Sequence, residues 1–567
     1  MSSTAPPSAE TLPPPSSILI LGAGAFGLST ALALIASPRY KATSITILDT
    51  FASETSSFSH DNPSSSTPQP NPHGSSIDTS RIIRADYADP AYYQLATSAL
   101  QRWRRGFGGQ GCYRESGMIV VGKEGGRGWD YVQRSCKNVS SGSNAAGVKV
   151  LENPEAIKDA LGTEGTYGSA GYLNPSCGWA DSEAAIRWTI KELERSGRVT
   201  FVRGTAKSLI FSNDQETTEE EDDHKDEGVS KEANHRHHAR HSMFEIPFRG
   251  TRRSMFEFAF RSHKRRRSRR SSSASSSASR SRLSDSPSGD SKRAKVLGAR
   301  LTEAPPLYAD LTILALGAWS PSLIDLRGRI QATGQILGYI PITPAECLKF
   351  KDMPVLFDLQ GGMAVFPPNS AHGPGTTRGN QQHVKLLRHG YGYKNPTPSP
   401  FQAHASPSFF ASQTTQAQNA LISLPSPPPH VPIPIEGLSA FHAFLSSVTP
   451  TLSPPSTRLQ PSTSRICWYA DTPTGDFLID YHPSFSGTLF ITAGGSGHGF
   501  KFLPVLGEKA VEVLEGRGDE GLKGRWRWRD DGEVSLLGDD WWTEDGSRGG
   551  VKGMVLERER RKWGSRL

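Results

Sequence analysis

The residues with the clearest chemical spacing form a glycine-rich turn near the N-terminus. Gly22, Gly24 and Gly27 separate an apolar run at residues 18–21 from a helical pattern of apolar residues. The first glycine permits a tight turn, the second lets the backbone approach a pyrophosphate, and the third lets helix and strand pack closely. The N-terminus of the helix presents unpaired N–H groups to the phosphates. This spacing predicts a dinucleotide site, and a glycine-rich turn in an unrelated parallel sheet is the alternative.

An acidic residue at the end of the next strand strengthens this prediction. Asp49 follows the strand pattern of residues 45–48 and lies 22 residues beyond Gly27. Its carboxylate can accept a hydrogen bond from an adenosine ribose hydroxyl. Further along, residues 309–319 form a buried-type strand that runs into a turn of small residues, which would let a cofactor come close. An ordinary core strand is the alternative for this segment. The unit fits FAD as well as NAD, so the spacing does not choose between them.

A second group of candidates consists of basic side chains flanked by apolar residues. Arg84 and Lys501 are each typical of an exposed surface, but as a pair among apolar neighbours they favour an anion site. Arginine suits a carboxylate because its planar fork meets both oxygens. In the strand-like run at residues 383–389, alternation places Lys385 and His389 on one face. A solvent-facing lysine and a structural histidine are the alternatives there.

The cysteines are few, scattered and odd in number, which argues against a disulfide framework. Cys467 lies in the short block Cys-Trp-Tyr that ends at Tyr469. A lone cysteine is more often a small packing residue than a reactive one. From the residues alone, Cys467 therefore remains an ordinary buried thiol.

The order of these blocks resembles a known enzyme family. The blocks at residues 80–84, 385–389, 467–469, 480–483 and 494–502, taken with the N-terminal glycines, are similar to those of the monomeric sarcosine oxidase and fructosyl amino acid oxidase family. That family contains FAD-dependent amine oxidases of the D-amino acid oxidase-like superfamily. The pattern looks closest to fungal oxidases of saccharopine, pipecolate and fructosyl amino acids. The resemblance covers residues 17–212 and 299–515.

The resemblance implies an FAD cofactor, attached covalently through a thioether from Cys467. A thiolate is the reactive form of cysteine, and nearby basic residues could stabilise it. The implied contacts with FAD come from Gly22, Ala23, Gly24, Ala25, Phe26, Gly27, Asp49, Ser80, Ala315, Gly317, Cys467, Gly497, His498, Gly499, Phe500 and Lys501.

The resemblance also implies roles in the reaction for several polar side chains. Lys385 would promote the reaction of reduced flavin with oxygen, because a fixed ammonium stabilises developing negative charge. Arg81 would lie beside the flavin ring, while Arg84 and Lys501 would hold the substrate carboxylate. The implied catalytic residues are Arg81, Lys385, His389 and Tyr469.

One position departs from the pattern of the family. Sarcosine oxidase carries a tyrosine two residues before a Phe-Pro pair, where this chain has Ala364 before Phe366 and Pro367. A pocket without that tyrosine loses one wall. The departure speaks against sarcosine as the substrate and favours a larger substituent on the amine.

We expect an α/β (α+β) fold, in which a Rossmann-like FAD-binding domain is interleaved with a substrate domain built on a mixed sheet. The flavin would lie between the two. The FAD-binding domain is assigned residues 17–115, 176–212, 299–328 and 476–520, and the substrate domain is assigned residues 116–175 and 329–475. The remaining segments are a disordered N-terminus at 1–16, a disordered insertion at 213–298, loose loops at 369–382 and 395–463, and a C-terminal tail at 521–567.

Composition and charge exclude several classes of protein. No apolar run is long enough to span a membrane, and the Ser/Pro-rich N-terminus lacks the pattern of a secretory signal. Much of the net charge of +8 lies in residues 214–295, where an acidic block precedes a basic block and a serine run. Such blocks are typical of a disordered, solvated segment, so we expect no nucleic-acid partner. The histidines at 235–241 lack the partners of a defined metal site.

The resemblance implies an oxidase of N-substituted amino acids that uses oxygen and releases hydrogen peroxide. A dehydrogenase or D-amino-acid-type oxidase with non-covalent FAD is the first alternative. A second alternative is a regulatory or RNA-associated protein in which the basic insertion is the functional part. The insertion could also be an intron that is translated in error. The substrate is not identified, and the resemblance implies a monomer.

The last three residues indicate a cellular location. Ser565, Arg566 and Leu567 resemble the Ser-Lys-Leu peroxisomal import signal, with arginine in place of lysine. This ending predicts recognition by the peroxisomal import receptor, with a cytoplasmic location as the alternative. An enzyme that makes hydrogen peroxide has a chemical reason to reside in peroxisomes.

Overall fold

The computed structural model describes the chain outside several segments. The described residues are 13–51, 68–107, 110–142, 145–214, 294–369, 382–400, 421–427, 432–452, 459, 463–537 and 540–564. The predicted insertion at 213–298, the predicted loose loops and the N-terminal segment lie mostly outside these residues. The C-terminal tripeptide lies wholly outside them.

The first layer is a six-stranded sheet that begins with the N-terminal strand. Strand β21 runs antiparallel to β22, and the other neighbouring pairs are parallel. The central strands are buried because helices cover the sheet, which explains their continuous apolar sequences. In spatial order the strands are β21 (Leu478–Tyr481), β22 (Leu489–Ala493), β13 (Leu311–Leu314), β1 (Ser17–Leu21), β2 (Ser44–Asp49) and β9 (Val199–Arg203).

Two helices approach each other closely on this sheet. They are α1 (Ala25–Ala36), which follows the glycine-rich turn, and α8 (Leu506–Leu514) near the C-terminus. Ser29 Oγ donates to the carbonyl of Leu503 at 2.7 Å and accepts from the backbone N–H of Gly507 at 2.7 Å. A Cβ atom on Gly507 would lie 1.8 Å from the carbonyl oxygen of Ser29, so the contact requires glycine.

The second layer is an eight-stranded mixed sheet. Strands β5 and β15 are parallel, and the other neighbouring strands are antiparallel. In spatial order the strands are β20 (Ser464–Asp471), β14 (Gln331–Pro341), β17 (His383–Arg388), β16 (Met363–Val365), β15 (Val355–Asp358), β5 (Met118–Gly122), β7 (Ala170–Asn174) and β6 (Lys149–Leu151).

Shorter elements complete the described fold. The small sheets consist of β3 (Arg81–Ile83), β8 (Gly178–Ala180) and β4 (Tyr113–Arg114); of β10 (Ala206–Phe211), β11 (Val296–Leu301) and β12 (Leu307–Tyr308); and of β18 (Pro396–Pro398) with β19 (Leu421–Ser423). The other α-helices are α2 (Pro90–Arg102), α3 (Trp129–Ser141), α4 (Pro154–Leu161), α5 (Ser182–Arg195), α6 (Pro344–Phe350), α7 (Ile435–Val448), α9 (Glu520–Trp526), α10 (Asp531–Ser535) and α11 (Leu556–Gly564).

The segment after residue 520 packs against the body of the protein. Sequence reasoning gave this segment no role beyond a terminal signal, because its composition is polar and rich in charge. In the structure, Trp526 and Arg548 are each only 1% exposed. The indole Nε1 of Trp526 donates to the phenol oxygen of Tyr92 at 3.0 Å, which fixes α9 against α2. The C-terminal segment is therefore part of the core.

The predicted fold class is confirmed, since a dinucleotide-type parallel sheet lies in one chain with a larger mixed sheet. The strands of the six-stranded sheet all fall in the segments assigned to FAD binding, and those of the eight-stranded sheet fall in the segments assigned to the substrate domain. Among the described residues, every helix is too short or too polar to cross a membrane.

Candidate active site

One cavity of about 550 Å³ extends from the glycine-rich turn to the basic pair. Its wall includes residues 22–26 and Asp49 at one end, and Arg84, Tyr469 and Lys501 at the other. These residues come from opposite ends of the chain and from both large sheets. The cavity therefore joins the predicted nucleotide site to the predicted anion site.

The glycine-rich turn has the close contacts that its sequence requires. Gly22 has a φ of +110°, and a Cβ atom there would lie 2.5 Å from the carbonyl oxygen of Ala315. A Cβ atom on Gly27 would lie 1.9 Å from the carbonyl oxygen of Gly22. Side chains at these positions would push apart the strands and the helix that form the turn, so both glycines are required by packing.

Asp49 lies at the rim of this turn. Its carboxylate accepts hydrogen bonds from the backbone N–H groups of Ala23 and Thr50, each at 2.6 Å. The side chain of Asn71 donates to the same carboxylate at 3.3 Å. Burial raises the pKa of Asp49 from its usual value, although these hydrogen bonds oppose the rise. The residue is held in place to face a ligand in the cavity.

Cys467 lies on β20, faces the cavity and is 4% exposed. The guanidinium of Arg81 approaches its sulfur, with Nη2 at 3.5 Å from Sγ. The same nitrogen donates to the carbonyl of Ser75 at 2.6 Å, and the other terminal nitrogen pairs with Asp78. The structure thus brings a thiol and a fixed guanidinium together at the cavity wall.

A buried charge cluster surrounds Asp78 behind this part of the cavity. Lys385 Nζ lies 2.6 Å from the Asp78 carboxylate and also donates to the carbonyl of Ser80. Tyr339 donates to Asp78 at 2.7 Å, and Arg465 lies 3.9 Å from it. Burial opposes ionisation of Asp78, but the charges of the surrounding cations outweigh it and hold its pKa well below the usual range.

Burial acts in the opposite sense on the lysine of this cluster. It lowers the pKa of Lys385 to about 7, with help from the charge of Arg81 and against the attraction of Asp78. Lys385 is fully buried, so the alternative of a solvent-facing lysine is wrong. Its charge is held by protein groups, and its side chain does not line the cavity.

The predicted anion site contains two buried cations. Arg84 and Lys501 are each 5% exposed. Lys501 Nζ donates to the phenol oxygen of Tyr87 at 2.9 Å and to the carbonyl of His498 at 2.8 Å. Arg84 donates to the carbonyl of Asp86 and packs over the Tyr87 ring at 5.1 Å. Burial and the charge of Arg84 lower the pKa of Lys501 well below its usual value.

Neither cation of this pair forms an ion pair with a carboxylate among the described residues, although the buried carboxylate of Asp86 interacts electrostatically with Arg84. Their observed partners are backbone carbonyls and phenol oxygens, which carry no full negative charge. Burying an unpaired charge is costly unless a ligand supplies the opposite charge. The pair is therefore arranged to receive an anion.

The remaining cavity wall contains His389 and Tyr469, whose side chains approach each other with Nδ1 at 3.4 Å from the phenol oxygen. Burial and the nearby charges of Arg548 and Arg84 lower the pKa of His389 well below its usual value. A Cβ atom on Gly497 would lie 2.1 Å from the ring of Tyr469, which explains the glycine in that loop.

Most of the site residues predicted from the sequence line this cavity. Those that do so are Gly22, Ala23, Gly24, Ala25, Phe26, Asp49, Arg81, Arg84, Ala315, Gly317, His389, Cys467, Tyr469, Gly497, His498, Gly499, Phe500 and Lys501. Gly27, Ser80 and Lys385 do not line it. Gly27 serves the packing of the turn, and Ser80 holds Lys385 through its carbonyl. Ala364 is buried opposite Leu387 and does not line the cavity either.

Sequence reasoning missed several polar residues of the site. Asn71 and His73 lie on the cavity wall, and Asp78 organises the buried cations. Asp78 lies two residues before Ser80, where the basic block at residues 80–84 begins. This proximity is the one local signal that could have identified it. Ser547 and Arg548 come from the C-terminal segment, and no spacing in the sequence connects them to His389 and Tyr469.

A dinucleotide turn and a large mixed sheet that share one cavity define a cofactor-dependent oxidoreductase. Residues 17–235 match the family model described as DAO, FAD dependent oxidoreductase. The chain is an FAD-dependent oxidoreductase, and this match confirms the resemblance found in its motifs.

Individual relatives extend the similarity over nearly the whole chain. The chain is 26% identical to amino acid oxidase imqH of Aspergillus flavus, over 89% of this chain and 93% of that protein. It is 24% identical to L-saccharopine oxidase of Schizosaccharomyces pombe, over 92% of this chain and 94% of that protein. The crystal structure of the fructosamine oxidase Amadoriase II of Aspergillus fumigatus matches with a TM-score of 0.65 and 21% identity, covering 96% of each chain.

Proposed function

We propose that this protein oxidises N-substituted amino acids with oxygen and produces an imine and hydrogen peroxide. The observation that carries the proposal is the pair of buried cations, Arg84 and Lys501, at the end of the cavity that holds the cofactor motifs. An amino acid carboxylate could accept hydrogen bonds from both. The names of the relatives, which include amino acid oxidases and a saccharopine oxidase, point to the same class of substrate.

The residues present fit an FAD group in the cavity. The turn at residues 22–27 would hold the pyrophosphate, and Asp49 would face the adenosine ribose. Bound FAD supplies the redox chemistry, by accepting two electrons from the substrate and passing them to oxygen. The protein then has to bind the substrate, orient its C–H bond and manage protons and charge.

The substrate would be anchored by its carboxylate. Arg84 and Lys501 would receive the two carboxylate oxygens, while Tyr87 holds Lys501 in position through the 2.9 Å hydrogen bond. The amine would then lie toward His389 and Tyr469, which share the same cavity.

Two further roles belong to the proposal. Cys467 would hold the flavin through a thioether, because its sulfur faces the cavity and lies 3.5 Å from the Arg81 guanidinium. Lys385 promotes the reaction with oxygen, because its ammonium group is fixed in a water-poor region beside the cavity wall.

The visible absorption spectrum before and after acid precipitation tests the cofactor. Yellow colour that stays with the pellet supports covalent FAD, and colour released to the supernatant contradicts the thioether but keeps the flavoenzyme. Cys467→Ser should release the colour, whereas Cys112→Ser, at a buried thiol away from the cavity, should not.

A peroxide-coupled screen tests the substrate class. Secondary amino acids should give peroxide, and the matching amines without a carboxylate should give far less. Equal rates with and without the carboxylate would contradict the role of Arg84 and Lys501. A colourless, folded protein would contradict the proposed reaction itself.

The proposal includes a cellular location, since the C-terminal tripeptide would bind the peroxisomal import receptor. It also includes an oligomeric state, in which the enzyme would act as a monomer. A fluorescent fusion at the N-terminus should co-localise with a peroxisomal marker, and deletion of residues 565–567 should leave it in the cytoplasm. A fusion that never reaches peroxisomes would contradict this location. Sedimentation of the purified protein tests the monomer.

A further inference from the structure

Four side chains form a continuous hydrogen-bonded chain that starts in the cavity. The phenol oxygen of Tyr469 lies 3.4 Å from His389 Nδ1, and His389 Nε2 lies 3.1 Å from Ser547 Oγ. Ser547 Oγ lies 2.7 Å from the carboxylate of Asp545, whose other oxygen accepts from the backbone N–H of Ser547 at 2.9 Å. The C-terminal segment thus reaches a side chain of the cavity wall.

The chemistry of these groups fixes the direction of every hydrogen bond. An ionised carboxylate can only accept, so Ser547 donates to Asp545. The lone pairs of Ser547 are then free to accept from His389 Nε2–H, which leaves Nδ1 as an acceptor. Tyr469 therefore donates to His389. All three donors point from the cavity toward Asp545.

The two ends of this chain have different surroundings. Tyr469 faces the cavity, whereas His389 and Ser547 are buried at 7% and 3% exposure. Asp545 is partly exposed, and both of its sequence neighbours are exposed. The chain therefore connects a closed cavity to a carboxylate that water can reach.

The charged groups around this hydrogen-bonded chain keep His389, its central member, neutral. His389 faces the cations Arg548, Arg84 and Lys501 as well as His498, and together with burial they disfavour the imidazolium. Asp545 interacts with Arg548, which is itself paired with Asp471 at 2.6 Å, and with the phenols of Tyr87 and Tyr131. A neutral imidazole between two hydroxyls can pass a proton on without storing one.

We propose that Ser547 and Asp545 are positioning residues that complete a proton relay, through which the substrate ammonium loses its proton to solvent. This inference rests on the proposed function, because a secondary amine must be neutral before its C–H bond is oxidised. The ammonium N–H bond breaks as its proton moves to the Tyr469 oxygen, and the phenol proton moves to His389 Nδ1. The Nε2 proton moves to Ser547, and the hydroxyl proton of Ser547 moves to the Asp545 carboxylate, which releases it to water.

The proton transfer conserves atoms and charge. The substrate becomes a neutral amine, and one proton appears in solvent. No electrons are transferred in this step. Reorientation of the two hydroxyls and of the imidazole then restores the starting pattern. Tyr469 is the group that contacts the substrate, while Ser547 and Asp545 act only through His389.

The test measures the single-turnover loss of visible absorbance when the holoenzyme is mixed with its amine substrate, across a range of pH. Below the pKa of the substrate amine, Ser547→Ala and Asp545→Asn should react roughly a hundredfold more slowly than wild type. Above that pKa the amine is already neutral, and the difference should vanish. Ser547→Thr should restore the rate, and Glu544→Gln, an exposed neighbour that pairs with Lys552, serves as the matched control.

A second measurement does not depend on turnover. Nitrogen-15 NMR of histidine-labelled protein, with the His389 signals assigned by their loss in His389→Asn, should show the Nε2–H tautomer in wild type. Ser547→Ala should shift that balance toward Nδ1–H, and Glu544→Gln should not. An Nδ1–H tautomer in wild type would overturn the direction of the relay.

The outcomes distinguish the relay from the proposed function. If Ser547→Ala and wild type react at equal rates at every pH, the relay is overturned and the oxidase remains. A loss of rate that persists above the pKa of the amine shows a structural role and also overturns the relay. If no secondary amino acid bleaches the wild type at any pH, the proposed function fails and the relay of a substrate proton fails with it.

Discussion

Two groups of buried cations lie beside the cavity, and they are neutralised in different ways. Lys385, Arg81 and Arg465 surround the carboxylate of Asp78, which the chain itself supplies. Arg84 and Lys501 form no ion pair with a carboxylate among the described residues, and the buried carboxylate of Asp86 interacts with Arg84 without forming an ion pair. A charge that is paired within the protein is held in one position, whereas an unpaired charge in a cavity attracts a ligand. The first group therefore organises the site, and the second group is available to bind.

The largest expected effect comes from breaking the paired group. Asp78→Asn removes the one carboxylate that three buried cations share, and we expect the free energy of unfolding to fall by about 3–5 kcal/mol. Because the folded state lowers the pKa of Asp78, its contribution is present at neutral pH and is lost as the pH falls into the acid range. Denaturant unfolding across pH measures both effects.

The control for this prediction is Asp130→Asn, at an exposed carboxylate that pairs with Arg134. It should change the free energy of unfolding by less than about 1 kcal/mol. Equal effects of the two substitutions would contradict the distinction between the buried cluster and an ordinary surface pair.

The second prediction concerns the charge of Lys385. Lys385→Met should slow the reaction of reduced enzyme with oxygen by roughly a hundredfold, because a fixed charge beside the reaction is removed. Lysine is protonated below its pKa, so the wild-type oxygen reaction should slow as the pH rises through about 7. Stopped-flow measurement of reoxidation should show this decrease in rate with pH in wild type and not in Lys385→Met. Reduction by substrate should change much less, and an equal loss in both half-reactions would contradict the assigned role.

The third prediction concerns the unpaired group. Arg84→Met should raise KM for the amino acid by roughly 10–100-fold, because a charge-assisted hydrogen bond to a carboxylate contributes about 1.5–3 kcal/mol. It should lower the free energy of unfolding by less than Asp78→Asn does, since Arg84 forms no ion pair with a carboxylate among the described residues. Steady-state kinetics and denaturant unfolding of one variant test both statements. A stable protein with unchanged KM would show that the anion binds elsewhere.

The smallest expected effect belongs to an exposed ion pair. Arg102 and Glu508 lie 2.5 Å apart, but both side chains are about half exposed. Arg102→Met should change the free energy of unfolding by less than about 1 kcal/mol, because water and salt screen the pair. A loss as large as that of Asp78→Asn would show that pairing, rather than burial, sets the difference between these groups.

The two regions also differ in how far the sequence predicts them. Arg84 and Lys501 could be assigned to an anion site because each sits in a block with apolar neighbours. Alternation along its strand predicts that Lys385 shares a face with His389, but it gives no sign of the partner Asp78. The two residues are 307 positions apart, and no local pattern links a carboxylate to a lysine at that distance.

The same limit applies to the C-terminal segment. Its charged and glycine-rich sequence resembles a solvated tail, yet Arg548 is almost fully buried and pairs with Asp471. Ser547 meets His389 across 158 residues. Burial of such polar residues depends on partners that only the folded chain supplies, so hydropathy assigns them to the surface.

The sequence by itself determined the cofactor end of the site. Gly22, Gly24, Gly27 and Asp49 act within one strand–helix–strand unit, so their spacing along the chain is also their spacing in space. Only the tertiary structure decided which cations are paired and which are free to bind. That outcome depends on Asp78, which meets Lys385 and Arg465 from a distant segment of the chain. Long-range contacts bring such residues together, and local spacing does not record them.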